Sequence, residues 1–219
     1  MHEQFWKDRW QNNQIGFHKA EANPLLVRHF AALRLAPGAR VFVPLCGKSL
    51  DVHWLLAQGH RVVGAELSRI AVEQLFAELG VTPRITPAGP LTRFEADGIV
   101  IFQGSLFDLT AATLGPVDAV YDRAALVALP PAMRDQYTTH LRALTADAPQ
   151  LLICFEYHQP CMDGPPFSVE EPEVHRHYAA HYTVTLLQRV TGELLKGICP
   201  SNDAVWLLTA NGDQEDSVR

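Results

Sequence analysis

Between Arg40 and Phe155, short apolar runs rich in β-branched residues alternate with segments of helical period. That alternation confines the chain to a mainly parallel sheet with helices packed on its faces. Strands are expected over Arg40 to Leu45, Arg61 to Glu66, Ile99 to Phe102, Val117 to Tyr121 and Leu151 to Phe155. Such runs suit strands buried on both faces. Between them fall helices over Leu50 to Leu56, Ser68 to Leu79 and Pro131 to about Leu144. In the second of these, Val72, Leu75, Phe76 and Leu79 stand at i, i+3, i+4 and i+7, one face of a helix.

The flanks read differently. Asn23 before Pro24 is an N-cap followed by a first-turn proline, and it opens a helix to about Leu35 that the Pro37-Gly38 turn follows. Towards the end, Tyr182 to Val190 and Ala204 to Thr209 are strands, and the link Thr191 to Asp203 holds no crossover helix, which favours an antiparallel pair. The polar residues 211–219 are expected to fray. At 219 residues one domain is expected over 1–219, with 1–36 as an N-terminal helical segment.

Apolar residues make up 47% and charged residues 19%, a globular composition. The net charge of −6, with no basic run, argues against a nucleic-acid partner. The first residues carry no basic and apolar leader and no stretch approaches a membrane span, so a cytoplasmic protein is expected. The four cysteines, Cys46, Cys154, Cys161 and Cys199, show no close pair, and reduced thiols are expected. His177 and His181 fall at helical spacing and His158 lies near Cys161, but partners at ligand spacing are missing and no metal is expected.

Ligands of open parallel sheets bind outside the carboxyl ends of the strands, which directs attention to Pro44-Leu45-Cys46-Gly47-Lys48-Ser49. Gly47-Lys48-Ser49 ends like a phosphate loop, but Phe42 occupies the place of its first glycine. A dinucleotide fold would need three glycines, and only Gly47 is present. S-adenosylmethionine has no pyrophosphate and relaxes that need. Glu66, 19 residues beyond Gly47, ends the next strand and can accept both hydroxyls of an adenosine ribose. Its plain alternative is a solvated carboxylate at a strand end.

Three further places hold candidates. Ser105 and Leu106 follow the third strand and suit an adenine, while Ser105 or Asp108 equally suits the N-cap of a short helix at Thr110 to Leu114. Asp122 and Arg123 end the fourth strand; the guanidinium can take the methionine carboxylate, steady an anionic acceptor sulfur, or form a surface ion pair. No Asn/Asp-Pro-Pro-aromatic motif of base-amino methyltransferases is present there. Trp6 and Trp10 form an i, i+4 pair beside Phe5 and Phe17. That face either staples the helix to the sheet or lids a sulfonium through cation–π attraction.

Taken together, Trp6-Lys7-Asp8-Arg9-Trp10, Gly16-Phe17-His18, Val43-Pro44-Leu45-Cys46-Gly47-Lys48-Ser49-Leu50-Asp51, Gly64-Ala65-Glu66 and Asp122-Arg123-Ala124-Ala125-Leu126 closely resemble the thiopurine S-methyltransferase family, in its bacterial form. The resemblance runs from about Phe5 to Leu208. It implies a class I methyltransferase (Rossmann-like) α/β fold, a seven-stranded, mostly parallel sheet with one antiparallel C-terminal strand. It implies S-adenosylmethionine as cofactor, bound by Trp6, Trp10, Leu45, Gly47, Glu66, Ser105, Leu106 and Arg123, with Phe17 towards the acceptor. The implied acceptor is the sulfur of a thiopurine or another aromatic or heterocyclic thiol, with selenium or tellurium compounds also in the range of bacterial relatives. Detoxification by a monomer is the role expected. Tyr157 to Phe167 matches the variable part of the acceptor pocket. Asp122 and Arg123 are the candidates for assisting a proton or an anion. An NAD-type oxidoreductase and a non-catalytic adenosyl-binding module are the rival classes.

Overall fold

In the computed structural model, residues 3–16, 18–192 and 194–212 are described. Contacts divide the chain into two units, Met1–Ala119 and Val120–Arg219.

The first unit begins with helix α1 (Glu3–Gln11) and helix α2 (Pro24–His29), the latter continued by a 3-10 turn, Phe30–Leu33. Asn23 caps α2 as expected: its side chain accepts the Leu25 N–H at 2.8 Å, and Pro24 opens the helix. Strand β1 (Arg40–Pro44), helix α3 (Leu50–Ala57), strand β2 (Arg61–Glu66) and helix α4 (Arg69–Glu78) follow within a residue or so of expectation. Ser49 and Ser68 cap the two helices. Val72, Leu75 and Phe76 are fully buried on the inner face of α4. Strand β5 (Ile99–Gln103) pairs parallel with β2, and β2 with β1.

An antiparallel hairpin, β3 (Arg84–Ala88) and β4 (Leu91–Ala96), was not expected from the sequence. Its sparse burial is the reason: β3 has no buried residue and β4 only Leu91 and Phe94, so neither reads as an apolar run. Pro87 is tolerated because β3 lies at the sheet edge. The strand order within this unit is β3-β4-β5-β2-β1. A second difference concerns helix α5 (Ala111–Leu114), whose cap is Thr110, its hydroxyl accepting the Thr113 N–H, rather than Ser105 or Asp108. Asp108 instead closes a 3-10 turn, Leu106–Asp108, which leaves Thr110 in the extended conformation that a cap requires.

The second unit contains β6 (Ala119–Arg123), counted here although its first residue closes the other unit, then helix α6 (Pro131–Thr145), β7 (Gln150–Glu156), helix α7 (Glu171–Tyr178), β8 (Tyr182–Thr191) and β9 (Asn202–Ala210). β6 starts two residues later than expected because Asp118 is engaged in the preceding turn, its carboxylate accepting the Arg40 N–H at 2.6 Å. β6 and β7 are parallel. β9 runs antiparallel to both β7 and β8, which makes it the one reversed strand. All seven expected strands therefore form, and the β3–β4 hairpin is additional.

Two expectations in this unit are corrected. Cys161 and Cys199 form a disulfide, with Cα atoms 5.9 Å apart, whereas Cys46 and Cys154 stay free and buried. The 38 residues between the paired cysteines hid the contact, since folding rather than spacing brings them together. α7 ends at Tyr178, so His181 leaves the helix and does not share a face with His177, which bonds instead to Glu173 at 3.3 Å. Among the described residues there is no group of three or more potential metal ligands, and no helix is long and apolar enough to cross a membrane.

Candidate active site

In the first unit, β1, β2 and β5 run in one direction, so their carboxyl ends bring Pro44, Glu66 and Gln103 to one edge. Leu45 follows at φ +48°, in the left-handed region that a branched side chain seldom adopts, and turns the chain out of the sheet. Strain of this kind gathers at functional loops. Two residues on, Gly47 has φ +53°, and a Cβ there would stand 3.2 Å from Cζ2 of Trp10. The Trp10 indole, only 6% exposed, thus lies against the loop itself. Staple and cover are one contact: burying the ring fixes α1 and roofs Gly47.

Glu66 closes β2 with a buried carboxylate. Its Oε2 accepts the Gly47 N–H at 2.8 Å and its Oε1 accepts the Ser68 N–H at 2.7 Å. Burial pushes its pKa up, and the N–H bonds from Ser68, Gly47 and Leu67 oppose that rise. A carboxylate offers about four acceptor positions, so acceptor capacity remains beside these bonds. Glu66 is therefore not the solvated strand-end acid of the plain alternative.

The neighbouring sequence signals have physical counterparts. A Cβ at Gly64 would meet Cys46 Sγ at 2.8 Å and Ile101 Cδ1 at 2.7 Å, so the loop can dock on β2 only over a glycine. Lys48 reaches Glu78 at 2.7 Å on α4, and Phe42 is wholly buried in β1. The Gly47-Lys48-Ser49 end is thereby a helix start and not a phosphate cradle. Beyond β5, the Gly104 N–H bonds to the Glu66 carbonyl at 2.9 Å, which ties the Ser105-Leu106 turn to the same edge. The Ser105 side chain makes no cap bond, and Leu106 is 4% exposed. Trp6, half-buried, stacks edge-on with Phe5. Phe17 lies outside the described residues.

In the second unit, Asp122 and Arg123 end β6, and Ala124 follows at φ +64°. Asp122 is completely buried: one oxygen accepts the Leu126 N–H at 3.2 Å and the other the Tyr137 hydroxyl at 2.7 Å. Burial pushes its pKa up to about 6, against the bonds from Tyr137, Leu126 and Ala125. These bonds make it a positioning group that fixes the turn after β6, with no oxygen exposed to a substrate. Arg123 is half-buried at the strand end.

A network that the sequence did not disclose organises Tyr157 to Phe167. Arg134, 1% exposed, donates to the Leu129 and Ser168 carbonyls and to Glu173, and lies over the Phe167 ring. Ser168 then accepts the Tyr157 N–H, its own N–H goes to Gln159, and the Tyr157 hydroxyl reaches the Pro166 carbonyl. Burial pushes Glu173 upward, but the His177 and Arg134 bonds outweigh it and hold it at about 2. The available signal was one arginine in the first turn of α6, where acidic residues are favoured.

Comparison with known proteins gives the family and the fold. The thiopurine S-methyltransferase family profile matches residues 1–198. Proteins named thiopurine S-methyltransferase from Xanthobacter autotrophicus and Gluconobacter oxydans are 60% and 50% identical. Those alignments cover 95% and 92% of this chain and 99% and 92% of the relatives. Among solved structures, the 1,6-didemethyltoxoflavin-N1-methyltransferase of Burkholderia thailandensis, with bound S-adenosylhomocysteine, superposes with a TM-score of 0.64 at 18% identity, covering 94% of this chain and 87% of that one. The magnesium protoporphyrin IX methyltransferase of Synechocystis, also with bound S-adenosylhomocysteine, gives 0.63 at 14%, covering 95% and 100%. At such identities these structures establish the fold, the class I methyltransferase fold, while the family rests on the profile and the bacterial relatives. The chain belongs to the thiopurine S-methyltransferase family.

Proposed function

We propose that this chain, an S-adenosylmethionine-dependent methyltransferase of the thiopurine S-methyltransferase family, transfers the methyl group to the sulfur of thiopurines or other aromatic and heterocyclic thiols. The observation that carries the reading is the buried Glu66 carboxylate, bonded to the Gly47 and Ser68 amides with acceptor capacity to spare. Residues of this edge fit the donor. Glu66 takes the ribose hydroxyls, Leu106 and Ser105 the adenine, and the amides opening α3 the carboxylate. Trp6 and Trp10 exclude water over Leu45 and Gly47. Arg123 and Phe17 join the site on the strength of the family motifs, Arg123 at a carboxylate or an anionic sulfur and Phe17 at the acceptor.

When bound, S-adenosylmethionine supplies a methyl carbon on a cationic sulfur. A lone pair of the acceptor sulfur forms the new S–CH₃ bond as the old one breaks, and the thiol proton is lost to water or was already absent. When the attacking sulfur is a thiolate, charge is cancelled in that step, so dry walls and alignment supply the acceleration and no strong base is needed. The buried, doubly bonded Asp122 is consistent with that. We place the activity in the cytoplasm, as detoxification by a monomer acting as one domain over 1–219, with 1–36 as the lid.

Incubation with methyl-labelled donor and a panel of thiopurines, aryl thiols, selenite and tellurite tests the acceptor. Label on a thiol sulfur supports the reading. No transfer to any acceptor overturns it in favour of a binding module.

A further inference from the structure

The amino ends of β1, β2 and β5, opposite the Glu66 edge, border a cleft of about 480 Å³. Its walls carry Arg40, Arg61, Arg84 and Arg93, with Glu95 and Asp97 as the carboxylates. Strand register places the four arginines on one face of the sheet. Arg84 faces Glu95 across β3–β4, and Glu95, Val100, Val63 and Phe42 are successive partners across the sheet. Side chains alternate with period two, so Arg93, Arg61 and Arg40, each two residues before a member of that row, project from the same sheet face as Arg84.

Charge in this cleft runs against that of the chain. Four arginines less two carboxylates leave walls of +2, on a protein of net −6. Glu95 is shared between Arg84 and Arg93, which it meets at 2.6 Å. The Arg40 guanidinium donates to the Pro116 carbonyl at 2.7 Å and that of Arg61 to the Gly38 carbonyl at 3.3 Å, both neutral acceptors. Asp118 accepts the backbone N–H of Arg40. Burial lowers the Arg40 pKa, and the nearby charges of Arg93 and Arg61 lower it further against Asp118.

We propose that this cleft is a binding site for a divalent tetrahedral oxyanion of the phosphate class, gripped by the guanidiniums of Arg40, Arg61 and Arg93. Planar guanidiniums present paired donors that match such an anion. A charge of −2 balances the walls. Arg61 and Glu66 begin and end the same strand, about 17 Å apart at 3.3 Å per residue, so this site and the donor edge are separate. The anion is either free in solution or the terminal group of a phosphomonoester.

Titration of the whole chain with inorganic phosphate, by calorimetry in low-chloride buffer near pH 8, decides the matter. The expected result is saturable one-site binding that weakens as sodium chloride rises. Arg61→Gln should weaken it about tenfold, the loss of one charge-assisted contact, while its circular dichroism and its affinity for S-adenosylmethionine stay those of the parent. A parallel titration with glycerol 3-phosphate, a phosphomonoester without adenosine and so without a claim on the Glu66 edge, separates the sources: tighter binding than phosphate identifies an ester, equal or weaker binding the free ion. Absence of saturable phosphate binding, or unchanged affinity in Arg61→Gln and Arg40→Gln, overturns the proposal and leaves the arginines as partners of Glu95 and of the Pro116 and Gly38 carbonyls. Should Arg40→Gln fail to fold, the exposed Arg61 decides alone.

Discussion

The Glu66 carboxylate accepts the backbone N–H of Gly47 at 2.8 Å, joining directly two residues that stand 19 apart in the chain. Its other oxygen holds the Ser68 amide, so the acid fixes the loop after β1 and the start of α4 together. Removing it should act on binding and on loop geometry at once. Glu66→Ala is expected to weaken S-adenosylmethionine binding by about 1–3 kcal/mol, the cost of leaving polar partners unmet. Because burial raises this pKa, donor affinity of the parent should fall on acidification as protons compete for the carboxylate, and Glu66→Gln should flatten that dependence. Calorimetry across pH measures both, and an unchanged affinity in Glu66→Ala would remove the residue from the site.

Trp10 and Gly47 are in contact through space that a methyl group would fill. Gly47→Ala should therefore cost about 1–2 kcal/mol for the left-handed backbone alone, with a further loss from the 3.2 Å approach to the indole. Trp10→Phe, by removing the ring edge, should recover that further loss but not the backbone cost. A double-mutant cycle on unfolding free energy reads the coupling, and simple additivity of the two substitutions would contradict the contact.

Asp122 and Glu173 should leave opposite signatures in the pH dependence of stability. Asp122 titrates at about 6 when folded against an ordinary 3.8, so the folded chain holds the proton longer and stability falls as pH rises through that window. The integrated effect is roughly 3 kcal/mol. Glu173, held at about 2 against 4.5, contributes stability that is present above pH 4.5 and lost as pH falls towards 2. Denaturant melts of Asp122→Asn should show a smaller decline between pH 4 and 6, the remainder belonging to the buried Glu66, and keep the acid loss. An undiminished decline would place its origin away from Asp122.

Arg134 holds three partners with one planar fork and lies over Phe167. Arg134→Lys keeps the charge and loses the geometry, so a destabilisation of about 2–4 kcal/mol is expected. On the proposed acceptor role of Tyr157 to Phe167, acceptor KM should rise more than donor Kd. Equal shifts in both would mark Arg134 as part of the general core only.

The elements legible in the sequence were those whose burial is dense. β1, β2 and α4 announce themselves by unbroken apolar runs or a clean helical period, and Asn23-Pro24 by local capping chemistry that needs no tertiary partner. The β3–β4 hairpin escaped because β3 buries no residue and β4 only Leu91 and Phe94, so neither reads as an apolar run. Glu66 and Gly47 were legible because strand ends and helix starts define where a ligand can sit. Arg134, the Cys161–Cys199 pair and the Asp122–Tyr137 bond were not, since each joins segments that only folding brings together. Gly64 appeared in the sequence as part of a motif, and its reason emerged only with Cys46 packed upon it.

The central claim is that the edge built by Gly47 and Glu66 is a methyl-donor site. Calorimetric titration of the parent and of Glu66→Ala with S-adenosylmethionine, S-adenosylhomocysteine and NADH tests it most directly. The account predicts one-site binding of both adenosyl compounds, weakened in Glu66→Ala, and no heat from NADH. Binding of NADH without S-adenosylmethionine would contradict it.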